Sequence, residues 1–514
     1  MTVAELLAGR AGGGDRPLLI CDDDVLTYAA AASRSAALAK GLLATGAGKG
    51  THVGMLHPNG SAIVVAWLAA ARIGAVSVPL STFSTAGELR TLLCSADIEV
   101  LLAAPSFRGR DYVEALREVV PGFEPPLLSP EVPALRRVVF DPAPLVEAGE
   151  AIDDEVLAAA ERSVRPSDRM VIVHTSGSTS APKGVIHQHG PLIRHLGTLN
   201  RMRRYGPDEI LFSNSPFFWI GGFAYSLLGT LLAGATLVCS NATDPSATLD
   251  LLERTRPTMV NGFAAAVAHL AKDPSFPDRD LTSIRRGNLW PIMPAAVRPA
   301  DPELRHNMLG MTEAGSVCLA SEDEGDQPEH RRGSFGRPVP GLDAKVVDPD
   351  TGADCDVDQP GELWLRGPSL MEGYVGRERH ETFTPDGWYL TGDLFRVDAD
   401  GFHYFIGRRG DMIKTAGANV APREVEAAIA DATGLVAHVV GIEDPARGEL
   451  VAAAVRLPAG QDPPDEDELH AALRARLSAY KVPRRYRFLA DHEVPMLSSG
   501  KVDARALEEL LGAG

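Results

Sequence analysis

The segment His174–Gly184 reads HTSGSTSAPKG, a run of hydroxylated residues and glycines with a single lysine, Lys183, near its end. Apolar residues flank it at Met170–Val173 and Gly184–Ile186, and short apolar runs beside turn residues predict strands. We therefore expect a strand, a loop and a second strand. Backbone N–H groups and hydroxyls of such a loop can converge on an anion, and the lysine adds positive charge. The pattern predicts a polyphosphate site.

The loop departs from the common P-loop, in which the lysine follows a glycine and precedes serine or threonine. Here Lys183 follows Pro182 and precedes Gly184. A polar surface turn explains the segment equally well when it is taken alone. The choice between these two interpretations depends on the rest of the chain.

The composition bounds the class of protein. The chain has 514 residues, of which 45% are hydrophobic and 23% charged, values typical of a globular protein large enough for several domains. Its net charge of −18 disfavours nucleic acids and anionic membranes as partners, because both carry negative charge. No run reaches the ~18 apolar residues of a membrane span, and the N-terminus lacks a signal-peptide pattern. The five cysteines form no paired or metal-binding pattern, so we expect reduced thiols in a cytoplasmic protein.

Short apolar strands alternate with helical patterns in the first half of the chain. This rhythm predicts a layered α/β domain with partly parallel sheets. The region Gly341–Arg366 is expected to be rich in strands, with turns at Gly352 and Gly361. The predicted strands are His52–Leu56, Ala75–Pro79, Leu211–Pro216 and Thr236–Cys239, and the predicted helices are Ile63–Ile73, which starts at Asn59–Ser61, and Ala224–Leu232.

A domain boundary is predicted near Gly407–Asp411, which divides the chain into residues 1–409 and 410–514. The C-terminal part has a compact mixed pattern of helices and strands. Its predicted helices are Pro422–Ala430 and Asp465–Ser478, and its predicted strands are Val436–Ile442 and Leu450–Leu457.

Four further segments carry groups suited to chemistry, although each alone has an ordinary explanation as a turn or a solvated face. They are LGMTE at Leu309–Glu313, YLTGD at Tyr389–Asp393, GRRGDMIKTAGANVAPREVE at Gly407–Glu426 and PMLSSGKVDARAL at Pro495–Leu507. Together with TSGSTSAPKG, and in this order, they resemble the adenylate-forming superfamily of acyl-CoA synthetases, firefly luciferase and peptide-synthetase adenylation domains. The resemblance extends over residues 26–510.

The resemblance implies an α/β fold with a large N-terminal domain that includes a strand-rich subdomain. A small, mobile α+β C-terminal domain follows, and the active site lies between the two. Members of the superfamily convert a carboxylic acid and Mg-ATP to an acyl-adenylate, with release of pyrophosphate. They then transfer the acyl group to a thiol after the small domain rotates. The implied ligands are ATP or acyl-AMP, coenzyme A, Mg²⁺ and a small carboxylic acid.

The resemblance also assigns roles to residues of the matching motifs. Thr312 would contact the α-phosphate, Glu313 would bind Mg²⁺ as a hard oxygen ligand, and Leu309 occupies the position that borders adenine. Asp393 would accept hydrogen bonds from the ribose hydroxyls, with help from Arg408. The residues that would hold the β- and γ-phosphates are Thr175, Ser176, Gly177, Ser178, Thr179 and Lys183.

In the C-terminal part, Lys501 matches the lysine that bridges the carboxylate and the α-phosphate during adenylation. Gly410 matches the hinge position, where a glycine can absorb a large change in φ and ψ. Lys414, Ala416 and Gly417 would line the pantetheine tunnel after rotation.

The acyl pocket is expected near Trp219–Phe223 and Asn261–Phe263. Trp219 and Phe263 are its aromatic residues, and three glycines, Gly221, Gly222 and Gly262, are expected to leave room for a bulky hydrophobic acid. Residues 216–223 contain no carboxylate, whereas relatives that activate amino acids keep an aspartate there for the α-amino group. An amino-acid substrate is therefore not expected.

Three departures from the family pattern lie around the nucleotide. Ser180 replaces a glycine, Leu309 replaces an aromatic residue that stacks on adenine, and the bulky sequence Leu289–Ile292 with Trp290 replaces a segment of small residues. Loss of a base–aromatic stack costs about 1–3 kcal/mol. These departures suggest an alternative in which adenylation is impaired. The protein would then only thioesterify a preformed acyl-adenylate, supplied by a partner adenylating enzyme.

Two further alternatives come from other classes. An acyl-AMP ligase that loads a carrier protein would carry an insertion in the large domain, and none is evident. A non-catalytic binding protein would have no need of Lys183, Glu313, Asp393 and Lys501, which are all retained. The complete acyl-CoA ligase is the preferred hypothesis, and the sequence leaves the acid and the oligomeric state open.

Overall fold

Strands rich in valine, isoleucine and leucine build the two central sheets of the N-terminal part of the chain. One of them contains the strands around Lys183, because Arg169–Thr175 and Lys183–Gln188 pair antiparallel with Thr175 opposite Lys183. The two predicted strands are thereby confirmed, and the expected loop between them, residues 176–181, lies outside the described residues. The computed structural model describes residues 1–120, 122–175, 182–415, 418–444, 448–458, 460–477, 480–497 and 501–513.

The first central sheet is parallel except at the edge that carries Lys183. Across its width, the described strands are Gly373–Tyr374, Lys183–Gln188, Arg169–Thr175, Val76–Pro79, His52–Leu56, Val100–Ala103 and Arg137–Val139. The two strands at the Lys183 edge run antiparallel to their neighbours, and the others pair in parallel.

The second central sheet is parallel apart from one edge strand. Strands buried on both faces have near-continuous apolar sequences, as in Thr236–Cys239, where every residue is buried. Across this sheet, the described strands are Arg286–Gly287, Met259–Asn261, Ile210–Ser213, Thr236–Cys239, Pro17–Cys21 and Asp24–Thr27.

The smaller sheets follow in the second half of the chain. The expected strand-rich region is confirmed as an antiparallel sheet of Asp343–Val347, Gly361–Arg366, Tyr389–Val397 and His403–Arg408. Leu309–Met311, Ser316–Ala320 and Arg337–Pro338 form a short sheet, and Ser106–Phe107 pairs with Arg110–Asp111. The C-terminal sheet contains Ala418–Val420, Ile413–Thr415, Gly448–Leu457, Ala437–Asp444 and Arg485–Ala490.

Helices alternate with these strands along the chain. The described α-helices of the N-terminal part are Val3–Arg10, Tyr28–Ala44, Ser61–Arg72, Ala86–Ser95, Tyr112–Arg117, Ala143–Gly149, Asp154–Ser163, His189–Met202, Gly229–Ala233 and Pro245–Thr255. Those of the C-terminal part are Pro422–Thr433, Glu466–Arg474 and Ala504–Gly512. None of the helices in the described ranges is long and apolar enough to cross a membrane. All five cysteines are free thiols.

The helix Ser61–Arg72 shows how the core forms around the first predicted βα unit. Asp24 accepts a hydrogen bond from the Ser61 backbone N–H at 2.6 Å, and this side chain satisfies an N–H that the helix itself leaves unpaired. The helix is apolar on nearly all sides and buries Trp67 completely. The Trp67 ring meets Phe223 edge to face, with ring centroids 5.2 Å apart.

The helix predicted at Ala224–Leu232 starts earlier and with a different geometry. Residues Gly221–Leu228 form a π-helix, and the α-helix Gly229–Ala233 continues it. Gly222 lies against the preceding loop so closely that a Cβ there would be 2.0 Å from the Pro216 carbonyl oxygen. Wide turns of this kind are rare and frequently occur at functional sites.

Three buried histidines make the stability of the fold sensitive to pH. Burial lowers the pKa of His187, His189 and His195 from 6.5 to about 4. The unfolded chain takes up a proton at each near pH 6.5, and the folded chain does so only near pH 4. The folded state therefore loses stability as the pH falls through this window, by up to about 1 kcal/mol per pH unit for each histidine.

We expect the urea midpoint to fall between pH 7.5 and pH 5.5, above the range in which unperturbed carboxylates titrate. The His195→Leu variant should show a shallower decrease, because it lacks one of the histidines whose pKa burial lowers to about 4. Equal slopes for this variant and the wild type would contradict the assignment.

Candidate functional site

The loops that leave the carboxyl ends of the second sheet converge on one region. Ligands of open parallel sheets bind beyond these ends. Three neighbouring parallel strands end at Ser213, Asn261 and Gly287. The expected acyl pocket, Trp219–Phe223 and Asn261–Phe263, follows the first two of them.

Three asparagines hold the backbone of these loops. Asn214 accepts from the Phe263 N–H at 2.9 Å and donates to the Phe263 carbonyl at 3.0 Å. Asn288 does the same for Gly262, at 3.0 and 2.9 Å. Asn59 accepts from the Phe217 N–H at 2.8 Å and donates to the Ser215 carbonyl at 3.0 Å. Each side chain thus satisfies both a donor and an acceptor that no strand partner reaches.

Two of the pocket glycines have a different role from the one expected. A Cβ at Gly262 would lie 1.8 Å from Asn214 Oδ1, and its φ of +147° favours glycine. Gly222 is confined by the Pro216 carbonyl. These two glycines allow close backbone approach and do not create space for the acid. Only at Gly221, among the three, would a Cβ meet nothing closer than 4.0 Å.

The aromatic residues of the expected pocket form a continuous row. Ring centroids of Phe83 and Phe218, Phe218 and Trp219, and Trp219 and Phe263 are 5.6, 5.5 and 5.4 Å apart, each pair edge to face. Phe217 and Phe218 are buried, whereas the Phe263 side chain is 51% exposed. The row therefore leads from the core to the surface at the loop that follows Met259–Asn261.

The Thr312–Glu313 pair is fixed through its backbone from the Lys183 edge of the first sheet. The Nε2 atom of His187 donates to the Thr312 carbonyl over 2.7 Å. The Met371 N–H donates to the Glu313 carbonyl over 2.8 Å. His187 belongs to the strand that begins at Lys183, so one strand places both the lysine and the Thr312–Glu313 turn.

The Glu313 side chain has its own anchor in Tyr374. The Tyr374 hydroxyl donates to Glu313 Oε1 at 2.8 Å and lies 3.3 Å from the Tyr389 hydroxyl. The Lys183 Nζ atom lies 5.3 Å from the centroid of the Tyr374 ring, within cation–π range. Burial and the Glu313 charge raise the pKa of Tyr374, so it remains a hydrogen-bond donor.

Asp393 and Arg408 form an ion pair on adjacent strands, in which the Asp393 side chain is buried and the Arg408 side chain is 59% exposed. Their Cα atoms are register partners, and Arg408 Nε lies 2.8 Å from Asp393 Oδ1. Burial raises the pKa of Asp393, and the Arg408 charge opposes that rise. Glu362 supports the same turn, because its Oε1 accepts from the Gly392 N–H at 2.9 Å. Its second oxygen lies 3.5 Å from Arg409, the residue before Gly410.

Lys501 lies near these groups although it belongs to the C-terminal part. Burial and the Arg408 charge lower the pKa of Lys501, while Glu313 raises it. The structure thus brings Lys501, Arg408 and Glu313 within electrostatic reach of one another. The Lys501 backbone is held by Leu497, whose N–H donates to the Lys501 carbonyl at 2.7 Å.

The donor set at Glu313 suits a hard cation. Its Oε1 atom is taken by Tyr374, and Oε2 makes no hydrogen bond within the described part of the chain. Mg²⁺ commonly binds one or two carboxylates together with substrate phosphates. Across the described ranges there is no cluster of three His, Cys, Asp or Glu side chains that could hold a metal ion. One carboxylate completed by phosphate oxygens therefore fits these residues.

The departures around adenine are partly core residues. Leu289 and Ile292 are buried, and Trp290 packs half-buried against the same apolar cluster. Leu309 starts a short strand, opposite Leu319, and packs against the main core. These apolar side chains therefore contribute to packing of the core.

Some expected site residues cannot be placed, and others were missed. Ser176, Gly177, Ser178, Thr179, Ser180, Ala416 and Gly417 lie outside the described residues. Lys414 lies in the strand Ile413–Thr415, and Gly410 lies in an exposed turn where a Cβ would meet nothing within 4 Å.

The residues missed from sequence are Tyr374, His187, Glu362, Asn59, Asn214 and Asn288. Asn214 and Asn288 directly follow strands, which was a visible signal, whereas the contacts of Tyr374 and His187 had none.

Comparisons with known proteins agree with this geometry. The sequence model described as AMP-binding enzyme matches residues 8–375, and that of the AMP-binding enzyme C-terminal domain matches residues 424–501. A feruloyl-CoA synthase of Amycolatopsis sp is 33% identical, over 93% of this chain and 92% of that protein. The mitochondrial medium-chain acyl-CoA ligase of Mus musculus is 30% identical, over 92% and 80%. The chain belongs to the AMP-binding enzyme family, within its branch of AMP-forming acyl-CoA synthetases.

Solved structures show the same fold. ATP-bound MatB from Rhodopseudomonas palustris aligns with a TM-score of 0.83 at 25% identity, over 99% of each chain. The apo form of that protein aligns with a TM-score of 0.72 at 26% identity over the same shares. The fold is therefore that of the adenylate-forming enzymes, with a large N-terminal and a small C-terminal domain. This family generally uses ATP, coenzyme A and Mg²⁺.

The Asn288 contacts can be tested through stability. Asn288→Ala leaves the N–H and carbonyl of Gly262 without partners, so we expect a loss of about 1–3 kcal/mol in the free energy of unfolding. Asn307→Ala is the matched control, because the Asn307 side chain makes no hydrogen bond in the ranges that the structure describes. Its effect should stay within about 0.5 kcal/mol. Similar losses of unfolding free energy for both variants in urea denaturation would show that the Asn288 contacts do not stabilise the fold.

Proposed function

We propose that this protein is a complete acyl-CoA ligase, which forms an acyl-adenylate from a bulky hydrophobic carboxylic acid and ATP and then an acyl-CoA thioester. The observation that carries the proposal is the convergence of Lys501 with Glu313 and Arg408. A site that served only thioesterification would have no use for a lysine within electrostatic reach of the carboxylate that we assign to the metal.

In the first half-reaction, a carboxylate oxygen of the acid attacks the α-phosphorus of ATP, and the bond to the departing pyrophosphate breaks. Lys501 supplies positive charge where the carboxylate and the α-phosphate meet, and Thr312 contacts the α-phosphate. Lys183 holds the outer phosphates, and Asp393 with Arg408 holds the ribose. Glu313 would hold Mg²⁺, which would supply positive charge to the phosphates. Charges fixed in a buried site stabilise such a transition state strongly.

In the second half-reaction, the sulfur of coenzyme A attacks the acyl carbon, and AMP leaves. We place the hinge at Gly410, between domains of residues 1–409 and 410–514, so that Lys501 moves away and Lys414, Ala416 and Gly417 line the thiol path. The closer match to the ATP-bound form of MatB than to its apo form supports an adenylation-like arrangement in this structure.

The acid is proposed to bind along the aromatic row from Phe218 to Phe263. These rings favour a bulky apolar or aryl chain. The loop asparagines hold the backbone of the loops that carry the rings. The relatives act on ferulate and on medium-chain acyl groups, to judge from their names. A panel of hydroxycinnamic, other aryl and medium-chain fatty acids therefore covers the proposed class.

Leu309 and Trp290 favour one alternative, in which adenylation is impaired and thioesterification is retained. An aliphatic residue at the adenine border weakens stacking, which favours thioesterification of a supplied acyl-adenylate. Pyrophosphate exchange with the acid panel measures the first half-reaction, and synthetic acyl-adenylate with coenzyme A measures the second. We expect the wild type to perform both. Product from the acyl-adenylate alone would establish the alternative and a partner adenylating enzyme, and transfer only to a holo carrier protein would make the protein a loading ligase.

Lys501→Ala tests the role given to the lysine. It should reduce pyrophosphate exchange by about 100-fold or more, because one charge that stabilises the transition state is lost, and should leave the second half-reaction nearly unchanged. Lys481→Ala is the matched control, since Lys481 forms an ion pair with Glu424 at the surface of the same domain. Equal loss in both half-reactions would contradict the assignment.

A further inference from the structure

Tyr374 contacts both charged groups that the proposed function places around the outer phosphates. Its hydroxyl reaches the Glu313 carboxylate, and its ring faces the Lys183 ammonium. No motif of the resemblance assigns it a role. Lys183 begins a strand of the first central sheet, and Glu313 lies in the 3-10 turn Thr312–Ala314, far from it in sequence. One buried side chain therefore links the two groups.

The placement of Tyr374 is rigid. Its two-residue strand pairs antiparallel with the Lys183 strand, with Tyr374 opposite Val185. The Val375 N–H donates to the Gly184 carbonyl at 2.8 Å, and the Glu372 N–H donates to the Ile186 carbonyl at 2.9 Å. Side chains two positions apart on a strand share a face, so Lys183 lies on the same face as Val185, the register partner of Tyr374.

The hydroxyl protons of the two tyrosines have a defined direction. A phenol has one proton to donate, and the Tyr374 proton is directed to Glu313 Oε1, since a carboxylate only accepts. At the 3.3 Å contact with Tyr389, Tyr374 must therefore accept. The two hydrogen bonds therefore run in series, from Tyr389 to Tyr374 and from Tyr374 to Glu313. Successive hydrogen bonds of this kind polarise one another, and Oε2 of Glu313 is left for the cation.

We propose that Tyr374 is a positioning residue for the adenylation half-reaction, holding the Glu313 carboxylate with its hydroxyl and the Lys183 ammonium with its ring in the geometry that receives Mg-ATP. This inference rests on the proposed function. Because pyrophosphate and its metal have left before thioesterification, Tyr374 affects the first half-reaction and spares the second.

Two substitutions separate the two contacts. Tyr374→Phe removes the hydroxyl and keeps the ring, so we expect the Mg²⁺ concentration at half-maximal pyrophosphate exchange to rise about tenfold, the value of one hydrogen bond to a charged group. Tyr374→Leu also removes the ring, and should in addition weaken the binding of ATP without Mg²⁺. Both variants should react with synthetic acyl-adenylate and coenzyme A at the wild-type rate.

Tyr389→Phe is the matched control. It removes a phenol whose hydrogen bond within the described residues goes to Tyr374 and not to Glu313, so the Mg²⁺ requirement should change by less than about threefold. Calorimetric titration of each variant with Mg-ATP, without acid, gives a readout independent of turnover. The dissociation constant should rise in the order wild type, Tyr389→Phe, Tyr374→Phe.

Unchanged Mg²⁺ dependence and Mg-ATP affinity in Tyr374→Phe would overturn the inference. So would an equal loss in both half-reactions together with a lowered melting temperature, which a merely structural role predicts. A wild type that binds Mg-ATP but exchanges no pyrophosphate refutes the proposed function alone, and the calorimetric comparison still decides the role of Tyr374. A wild type that binds no Mg-ATP refutes both.

Discussion

The antiparallel addition of the strand Lys183–Gln188 to a parallel sheet is the constraint on which the site depends. One end of this strand presents Lys183, and His187 near the other end reaches the Thr312 carbonyl at 2.7 Å. Its outer neighbour presents Tyr374, which reaches Glu313. Backbone pairing therefore fixes groups that would otherwise sit on independent loops. Such preorganisation lets fixed charges act without reorganising when a substrate binds.

A second device acts at the carboxyl ends of the other sheet. Loops that leave parallel strands carry backbone groups without a ladder partner, and buried groups of this kind need one. Asn59, Asn214 and Asn288 each provide a donor and an acceptor to such a loop. Their bonds hold the aromatic row from the core to the exposed face of Phe263. Gly222 and Gly262 serve the same close packing. A Cβ at Gly222 would collide with the Pro216 carbonyl, and a Cβ at Gly262 would collide with the Asn214 side chain.

The charges of the site come in compensated groups. Asp393 pairs with Arg408, and Glu362 lies near Arg409. The charges of Arg408 and Glu313 both act on Lys501. Unpaired buried charges are costly, whereas paired ones tolerate burial. In a chain with a net charge of −18, Arg408 and Lys501 bring positive charge near Glu313, as the proposed binding of an anionic nucleotide requires. The link from Glu362 to Arg409 also ties the N-terminal domain to the residue before the proposed hinge.

The sequence by itself determined the alternation of strands and helices, the strand pair around Lys183 and the order of the motifs that define the family. Those features depend on local periodicity, turn residues and short spacings, which are written in consecutive residues. Only the tertiary structure decided that Tyr374 bridges Lys183 and Glu313, that His187 supports Thr312 and that Gly222 and Gly262 serve packing and not pocket space. These contacts join segments distant in the chain. A residue's type limits what it can donate or accept, but the partner is set by how the sheets bring the segments together.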